Sequence, residues 1–395
     1  MNVLRELVIM LDGRYKIEDV RAYFHLTSLL RILVAMSGGV DSSVVAHLLH
    51  AQGHELIGVR FSLWIDPLAP ALAQVLPSKC CTTQNIARAS KVAKKLGMPL
   101  HVINLEDEFK KLVVDPFLES HKQGLTPNPC IGCNKTIKFG KLISLMKELG
   151  CEKLATGHYA RTATEKLPDG SKRTLLLEAV DNRKDQSYYL YGLDQEQLNA
   201  ALFPLGGMRK SDVYALAKKF ELPLSDSYKE SQDLCFFPEK TPEEFLKRHL
   251  GATMKSGTIV RRDGTIVGKH EGLPLYTVGQ RRGLGIGGLK IPLEVVSKDV
   301  DGNRLIVATK GTEEITSVEL GELRFISWKP DEGKETPFEC RTRSLSKRTK
   351  GELKIKGESA TFTFAHPTSV LGAGQSLVLY RGEEVVGGGV IRRED

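Results

Sequence analysis

From Arg31 onward the chain alternates two hydrophobic patterns. Ile32-Leu33-Val34-Ala35-Met36 is an unbroken apolar run, the mark of a strand buried on both faces. A Gly-rich turn follows, and then Val44, Val45, Leu48 and Leu49 recur at helical spacing until Gly53 ends the helix. Leu56–Phe61 reads as a second buried strand. A helix over about 83–96 leads to a strand at Leu100–Asn104, and a helix over about 134–149 leads to one at Lys153–Thr156. This alternation predicts an α/β domain with a doubly wound parallel sheet, whose ligands sit beyond the carboxyl ends of the strands. Helical stretches at Lys210–Glu221 and near 242–249 complete it.

After residue 250 the texture changes. Two short apolar runs flank Asp263-Gly264 within Thr258–Val267, a hairpin signal, and strands recur at about 293–297 and 304–309. Beyond 313, strand-like runs at Leu323–Ser327, Leu353–Ile355, Ala360–Phe364 and Ser376–Tyr380 alternate with Gly-rich turns, which predicts a small β-barrel. The expected parts are an extension without clean periodicity at 1–30, an α/β domain at 31–249, a central β-rich domain at 250–312 and a C-terminal barrel at 313–395.

Composition narrows the class of protein. The chain has 395 residues, 41% of them hydrophobic and 26% charged, which is ordinary for a folded globular protein and excludes wholesale disorder. A formal charge of +8 favours a polyanionic partner. Seven cysteines, an odd number scattered through a long chain, fit a reducing compartment with a few reactive thiols better than a disulfide framework. No apolar stretch reaches the roughly 18 residues of a membrane span, and the first thirty residues lack a signal-peptide core, so a cytoplasmic protein without a membrane partner is expected.

The turn after the first strand reads Ala35-Met36-Ser37-Gly38-Gly39-Val40-Asp41-Ser42. Two glycines let the backbone approach a ligand, two serine hydroxyls add donors, and the helix that follows aims its first amides at an anion. The loop lacks the Lys of a Walker A motif and the dinucleotide fingerprint. Asp41 is expected to orient magnesium or to cap the helix. A second constellation is Thr126-Pro127-Asn128-Pro129-Cys130-Ile131-Gly132-Cys133, with Cys133 expected near the start of the following helix, where a thiol pKa falls below its reference of about 8.5. A third thiol stands in Ser231-Gln232-Asp233-Leu234-Cys235-Phe236-Phe237.

Ser37-Gly38-Gly39-Val40-Asp41-Ser42 after a first strand resembles the pyrophosphate-loop (PP-loop) ATPases, which have an adenine nucleotide α-hydrolase-like fold. The resemblance implies ATP cleavage between the α- and β-phosphates, with magnesium and with contacts from Ala35, Met36, Ser37, Gly38, Gly39, Val40, Asp41 and Ser42. The cysteine segments, together with Ala155-Thr156-Gly157-His158-Tyr159, Lys184-Asp185-Gln186-Ser187-Tyr188 and Gly279-Gln280-Arg281-Arg282-Gly283-Leu284-Gly285, are similar to the tRNA-specific 2-thiouridylases, in order from Arg31 to the C-terminus. That likeness implies adenylation of the 2-carbonyl of the tRNA wobble uridine. The oxygen is then replaced by sulfur from a cysteine persulfide, supplied by an upstream cysteine desulfurase or relay protein, with AMP and pyrophosphate as products.

By the same resemblance Cys235 carries the persulfide and Cys133 is its partner, which either attacks it to free sulfide or closes a catalytic disulfide with it as sulfur leaves. Phe61 and Gly157 lie at the nucleotide, and Asn128, Pro129, Cys130 and His158 at the target base. Lys184, Asp185, Gln186, Arg343 and Gln375 contact tRNA. Arg343 belongs to a run of five basic residues, Arg341, Arg343, Lys347, Arg348 and Lys350, that suits phosphates.

Cys130 departs from the family, which often has an acidic residue there, and makes a CxxC pair with Cys133. Three thiols, Cys130, Cys133 and Cys235, are also a ligand set for an iron–sulfur cluster with one iron left open. Zinc has no second CxxC or His pair at its spacing. The persulfide relay and the cluster-dependent thiolase therefore both stand at this point. So do another adenylating enzyme, such as a lysidine or GMP synthetase, which needs neither Cys133 nor Cys235, and a tRNA-binding protein without turnover. Cys80, Cys81, Cys151 and Cys340 are expected only to pack.

Overall fold

The computed structural model describes residues 28–70, 83–222, 234–287 and 291–393; Cys80, Cys81, residues 231–233 and nearly all of the 1–30 extension lie outside them. The chain divides into two compact units. One comprises Met1–Phe109, Cys133–Pro238 and Glu383–Val385, the other Lys110–Gly132, Glu239–Gly382 and Val386–Asp395. Residues 110–132, which the strand–helix alternation places in the first domain, thus cluster with the second unit.

In the first unit the apolar runs form β1 (Arg31–Ala35), β2 (Glu55–Ser62), β3 (Leu100–Asn104) and β4 (Lys153–Ala155), linked through α1 (Val40–Ala51) and α2 (Thr83–Lys95). With β7 (Ala201–Leu202) they make a parallel sheet of order β3-β2-β1-β4-β7. The chain winds outward from β1 to β3 and then returns to the other side of β1. The strand order therefore reverses between β1 and β4, and a crevice opens at their carboxyl ends. Ile32, Val34, Val44, Val45, Leu48 and Leu49 form the core, and Val213, Leu216 and Ala217 of a later helix, Lys210–Lys219, join the same cluster. α1 is buried along almost its whole length, which explains its continuous rather than striped apolar character.

Two strands in this unit were not anticipated from the sequence, β5 (Arg161–Lys166) and β6 (Lys172–Leu177), an antiparallel hairpin around Pro168-Asp169-Gly170. Glu384 and Val385 pair onto β6 opposite Leu177 and Leu176. The Pro-Asp-Gly turn is their visible signal.

In the second unit β8 (Gly257–Arg261), β9 (Ile266–His270), β10 (Leu293–Asp299) and β11 (Arg304–Thr309) form a sheet of order β10-β11-β8-β9. Six further strands follow: β12 (Glu314–Phe325), β13 (Glu335–Arg341), β14 (Thr349–Lys356), β15 (Ser359–Ser369), β16 (Ser376–Arg381) and β17 (Glu384–Ile391). They close into a barrel of order β12-β15-β14-β13-β16-β17, sealed by β12 against β17. Alternation in β14 and β15 points Leu353, Ile355, Phe362 and Phe364 inward. The register of β12 on β17 shifts between Gly321 and Arg324, the kind of bulge that bends a strand enough to close a barrel. At Gly387 a Cβ would lie 2.1 Å from the Arg324 carbonyl oxygen, so the glycine lets the strands meet.

Leu33 is fully buried at the centre of the parallel sheet. Leu33→Ala is expected to cost about 2–5 kcal/mol, read from urea unfolding of the first unit's transition.

Candidate functional site

The loop that leaves β1 lies at the reversal of strand order. Met36 continues the strand, its amide donating to the Val59 carbonyl at 2.7 Å. Gly38 then takes φ +77°, where a Cβ would fall 2.1 Å from the Asn85 carbonyl oxygen, so this position demands glycine on conformation and on space. Two arginines hold the loop's carbonyls. Arg60 Nη1 donates to Ser37 O at 2.7 Å and Arg88 Nε to Gly38 O at 2.9 Å. The hydroxyls of Ser37 and Ser42 lie 3.1 Å apart across the turn. No side chain caps α1, whose N-cap is Gly39, so its positive end faces the crevice uncapped by a side chain.

Asp41, expected to orient magnesium or to cap α1, makes no capping hydrogen bond and is held instead by side chains from other elements. Lys210 Nζ donates to both its carboxylate oxygens at 2.7 and 2.9 Å, and Tyr159 Oη donates at 2.9 Å. Lys210 is 8% exposed, and its ammonium lies over the rings of Tyr159 and Tyr214, 5.3 and 5.1 Å from their centroids. Its backbone amide donates to Asp181, which anchors the start of α4 (Lys210–Lys219). Burial works to raise the Asp181 pKa, but the Lys210 and Arg183 amides and the Arg183 charge outweigh it and hold the carboxyl below its ordinary range. Gly157 closes the arrangement, since a Cβ there would stand 3.1 Å from both Asp41 Cβ and the Ser42 amide. The end of β4 can lie on the start of α1 only without a side chain.

Of Lys184, Asp185 and Gln186, expected at tRNA, two face inward. Asp185 is buried and accepts from the Ala179 amide at 3.0 Å and the Ser187 hydroxyl at 2.9 Å. Gln186 accepts from the Tyr159 amide and donates its own amide to the Tyr159 carbonyl, at 3.0 and 2.8 Å. It therefore positions the tyrosine that holds Asp41, and Lys184 is half-buried. His158 sits among Phe139 and Phe203 with Nδ1 2.9 Å from Thr156 Oγ1; burial, helped by the charge of Lys138, keeps its pKa well below the usual value and the ring neutral. Phe61 is half-buried near the end of β2.

The helix expected at 134–149 begins earlier, at Pro129. It runs through Pro129–Cys133, a π-helical stretch Asn134–Lys141 and Leu142–Glu148. Cys133 is thus buried a full turn inside, and Cys130 stands in the first turn behind the N-terminal proline. The helix-terminus argument for a reactive Cys133 consequently fails. Cys235 is partly exposed, followed by the buried pair Phe236 and Phe237; Phe236 packs on Phe109 and accepts from the Asp66 amide at 3.2 Å. Burial pushes the Cys340 thiol up to about 12 and raises that of Cys151, as packed thiols require. Among the described residues no group of three or more His, Cys, Asp or Glu side chains is arranged to hold a metal ion. Cys130, Cys133 and Cys235 do not fit an iron site as they stand.

In the second unit the Thr126 amide donates to the Ala373 carbonyl at 2.7 Å, and Gly374 lies against Leu125 and Thr126. The Leu125–Thr126 segment, just before Asn128, and the turn bearing Gln375 are therefore neighbours. Arg343 is exposed and reaches over Gly279, at the start of the Gln280-Arg281-Arg282 turn. The basic run around it is not one phosphate track. The guanidinium groups of Arg341 and Arg348 lie 5.1 and 4.5 Å from the Tyr380 ring centroid, and Arg348 also pairs with Glu339. Arg343, Lys347 and Lys350 remain outward.

A doubly wound parallel sheet with a glycine loop at its switch point defines a nucleotide-binding domain of the PP-loop type. Residues 30–239 match the family described as tRNA methyl transferase HUP domain, 243–309 the tRNA methyl transferase PRC-barrel domain and 316–391 the aminomethyltransferase beta-barrel domain. The tRNA-specific 2-thiouridylase MnmA 1 of Caldanaerobacter subterraneus subsp. tengcongensis is 41% identical over 92% of this chain and 98% of its own. That of Geobacter metallireducens, MnmA, is 42% identical over 91% and 96%, and that of Roseiflexus castenholzii 38% identical over 92% and 100%. The chain belongs to the tRNA-specific 2-thiouridylase family.

Lys210, Tyr159, Arg60 and Arg88 are the residues of this site that the sequence did not reveal. Lys210→Met, which leaves Asp41 without its ion-pair partner beside the loop, is expected to lower ATP-dependent AMP formation by about 100-fold. Tyr159→Phe, which removes one of the donors to Asp41, is expected to lower it less; steady-state AMP release measures both.

Proposed function

We propose that this protein is an ATP-dependent tRNA-uridine 2-sulfurtransferase acting on the wobble uridine. The observation that carries the reading is the glycine loop at the sheet's switch point, set in a chain whose 2-thiouridylase relatives match it over nine-tenths of its length. A uracil carbonyl is a poor electrophile with a poor leaving group. Its O2 attacks the α-phosphorus of ATP, pyrophosphate departs, and the oxygen becomes part of an AMP leaving group. The loop amides and the uncapped end of α1 receive the phosphates, and the Lys210 ammonium, beside Asp41, supplies a cation at the loop. Both Asp41 oxygens face Lys210, so a resident magnesium does not fit. The ion is the counter-charge that ATP brings with it.

Sulfur arrives from an upstream persulfide donor and is held on Cys235. Either the terminal sulfur of the persulfide attacks C2 and the Cys133 thiolate then attacks Cys235 Sγ, breaking its bond to the transferred sulfur, or the Cys133 thiolate attacks Cys235 Sγ first and frees hydrosulfide that attacks C2. On both routes AMP leaves with the former carbonyl oxygen, Cys133 and Cys235 end as a disulfide, and a thiol reductant restores them with two electrons. The nucleotide loop, Cys133 and Cys235 all belong to the first unit, which supports this assignment. Arg343, Gln375 and Asn128 of the second unit are the groups we assign to RNA. A cluster-dependent mechanism has no geometric support, and a lysidine or GMP synthetase is not favoured by the relatives.

With ATP, magnesium, unmodified tRNA and a persulfide donor, Cys133→Ser and Cys235→Ser are expected to lose thiolation. Excess sodium sulfide in place of the donor is expected to restore it, because free hydrosulfide needs neither thiol. Thiouridine quantified by mass spectrometry reads both arms; full donor-supported activity in either variant contradicts the relay.

A further inference from the structure

One cluster in the second unit plays no part in the chemistry above. Lys298, near the end of β10, is 8% exposed, and its Nζ has no hydrogen-bond partner among the described residues. The adjacent carboxylate does not serve it, because Asp299 accepts from Arg304 Nε at 2.7 Å and the Gly302 amide at 2.9 Å. The Lys298 stem, the Arg393 guanidinium and a Val300 methyl pack around Gly124, where a Cβ would lie 2.7 Å from Val300 Cγ2, 3.4 Å from Arg393 Nη2 and 3.7 Å from Lys298 Cδ. Arg393 is exposed and donates to the Gln123 carbonyl, a neutral acceptor, and no ion pair balances its charge among the described residues. His121, on α3 (Asp115–Lys122), is a buried neighbour. Its Nδ1 is 3.1 Å from the Pro274 carbonyl oxygen and its ring lies against Phe117.

The charges report on one another. Burial, helped by the charge of Lys298, pushes His121 down to about 4, so the ring is neutral. Burial, helped by the charge of Arg393, pushes Lys298 down to about 8, so at neutral pH most molecules keep the ammonium. A buried cation without a counter-charge or acceptor is unfavourable, and an oxyanion beside it removes that penalty. The exposed Arg393 side chain is the wall that can move to admit one.

We propose that Lys298 and Arg393, backed by His121 and Gly124, form a binding site for a single phosphate group. Two cations of different shape suit a tetrahedral oxyanion. The group is either a phosphodiester of bound RNA or free inorganic phosphate. The RNA source rests on the function proposed above, and phosphate binding itself does not.

Thermal unfolding of the full chain in phosphate-free buffer, titrated with inorganic phosphate against chloride at equal ionic strength, tests the site. Wild-type Tm is expected to rise with phosphate beyond the chloride control. Lys298→Met is expected to start at a higher Tm and to lose that rise. Arg393→Gln, a change on an exposed side chain that does not threaten folding, is expected to reduce it. No phosphate-specific rise in the wild type, the outcome if another group of the chain already neutralises Lys298, overturns the proposal. So does a rise preserved in both variants. The source follows from tRNA affinity measured against salt. A slope shallower by about 0.7–0.9 in Lys298→Met assigns the site to an RNA phosphate, and an unchanged slope with the Tm response lost assigns it to free phosphate.

Discussion

The pairing of Lys210 with Asp41 at the reversal of the parallel sheet is the interaction on which the nucleotide site depends. Everything near it is arranged to hold that pair beside the glycine loop. Gly157 lets the end of β4 close on the start of α1, Gln186 fixes the backbone of Tyr159, and Tyr159 donates to the same carboxylate. Asp181 accepts from the Lys210 amide and so sets where α4 begins. Lys210 stands beside a loop that, unlike a Walker A motif, carries no lysine of its own. It is contributed by a helix 169 residues from Asp41 rather than by the loop itself.

Positive charge elsewhere in the chain is divided by environment. Arg341 and Arg348 are held on the Tyr380 ring, with Glu339 balancing the second of them, so the barrel uses two of its clustered cations internally. Arg343 stands out over the Gly279–Arg282 turn instead. Three of the five clustered cations, Arg343, Lys347 and Lys350, therefore stand outward. The thiols divide in a similar way. Cys151 and Cys340 are buried with raised pKa values, whereas Cys130 and Cys235 keep some exposure.

What could be read from the sequence was whatever is contiguous in it. The buried strands of the sheet, the glycine loop and the alternating strands of the barrel each carry their signal within a dozen residues, and they stand close to where the pattern puts them. The Lys210–Asp41 pair could not be read, because nothing local distinguishes Lys210 from other lysines that open helices. The helix of Cys133 starts a turn before the position its apolar spacing marks, because Pro129 is well suited to the first helical position yet carries no periodic signal. Asp185 looked like a surface group in a polar run, yet its neighbours bury it beneath backbone amides that need an acceptor. The β5–β6 hairpin was passed over because its strands are half-exposed and polar, leaving only the Pro-Asp-Gly turn to mark it.

The central claim is that the loop and Lys210 promote attack of the uridine 2-oxygen on ATP, so that this oxygen leaves on AMP. Its most direct test is tRNA carrying 18-oxygen at the 2-carbonyl of the wobble uridine, incubated with the protein, ATP, magnesium and sulfide. The account predicts one labelled oxygen in the AMP for each thiouridine formed, detected by mass spectrometry. Thiouridine produced alongside unlabelled AMP contradicts it.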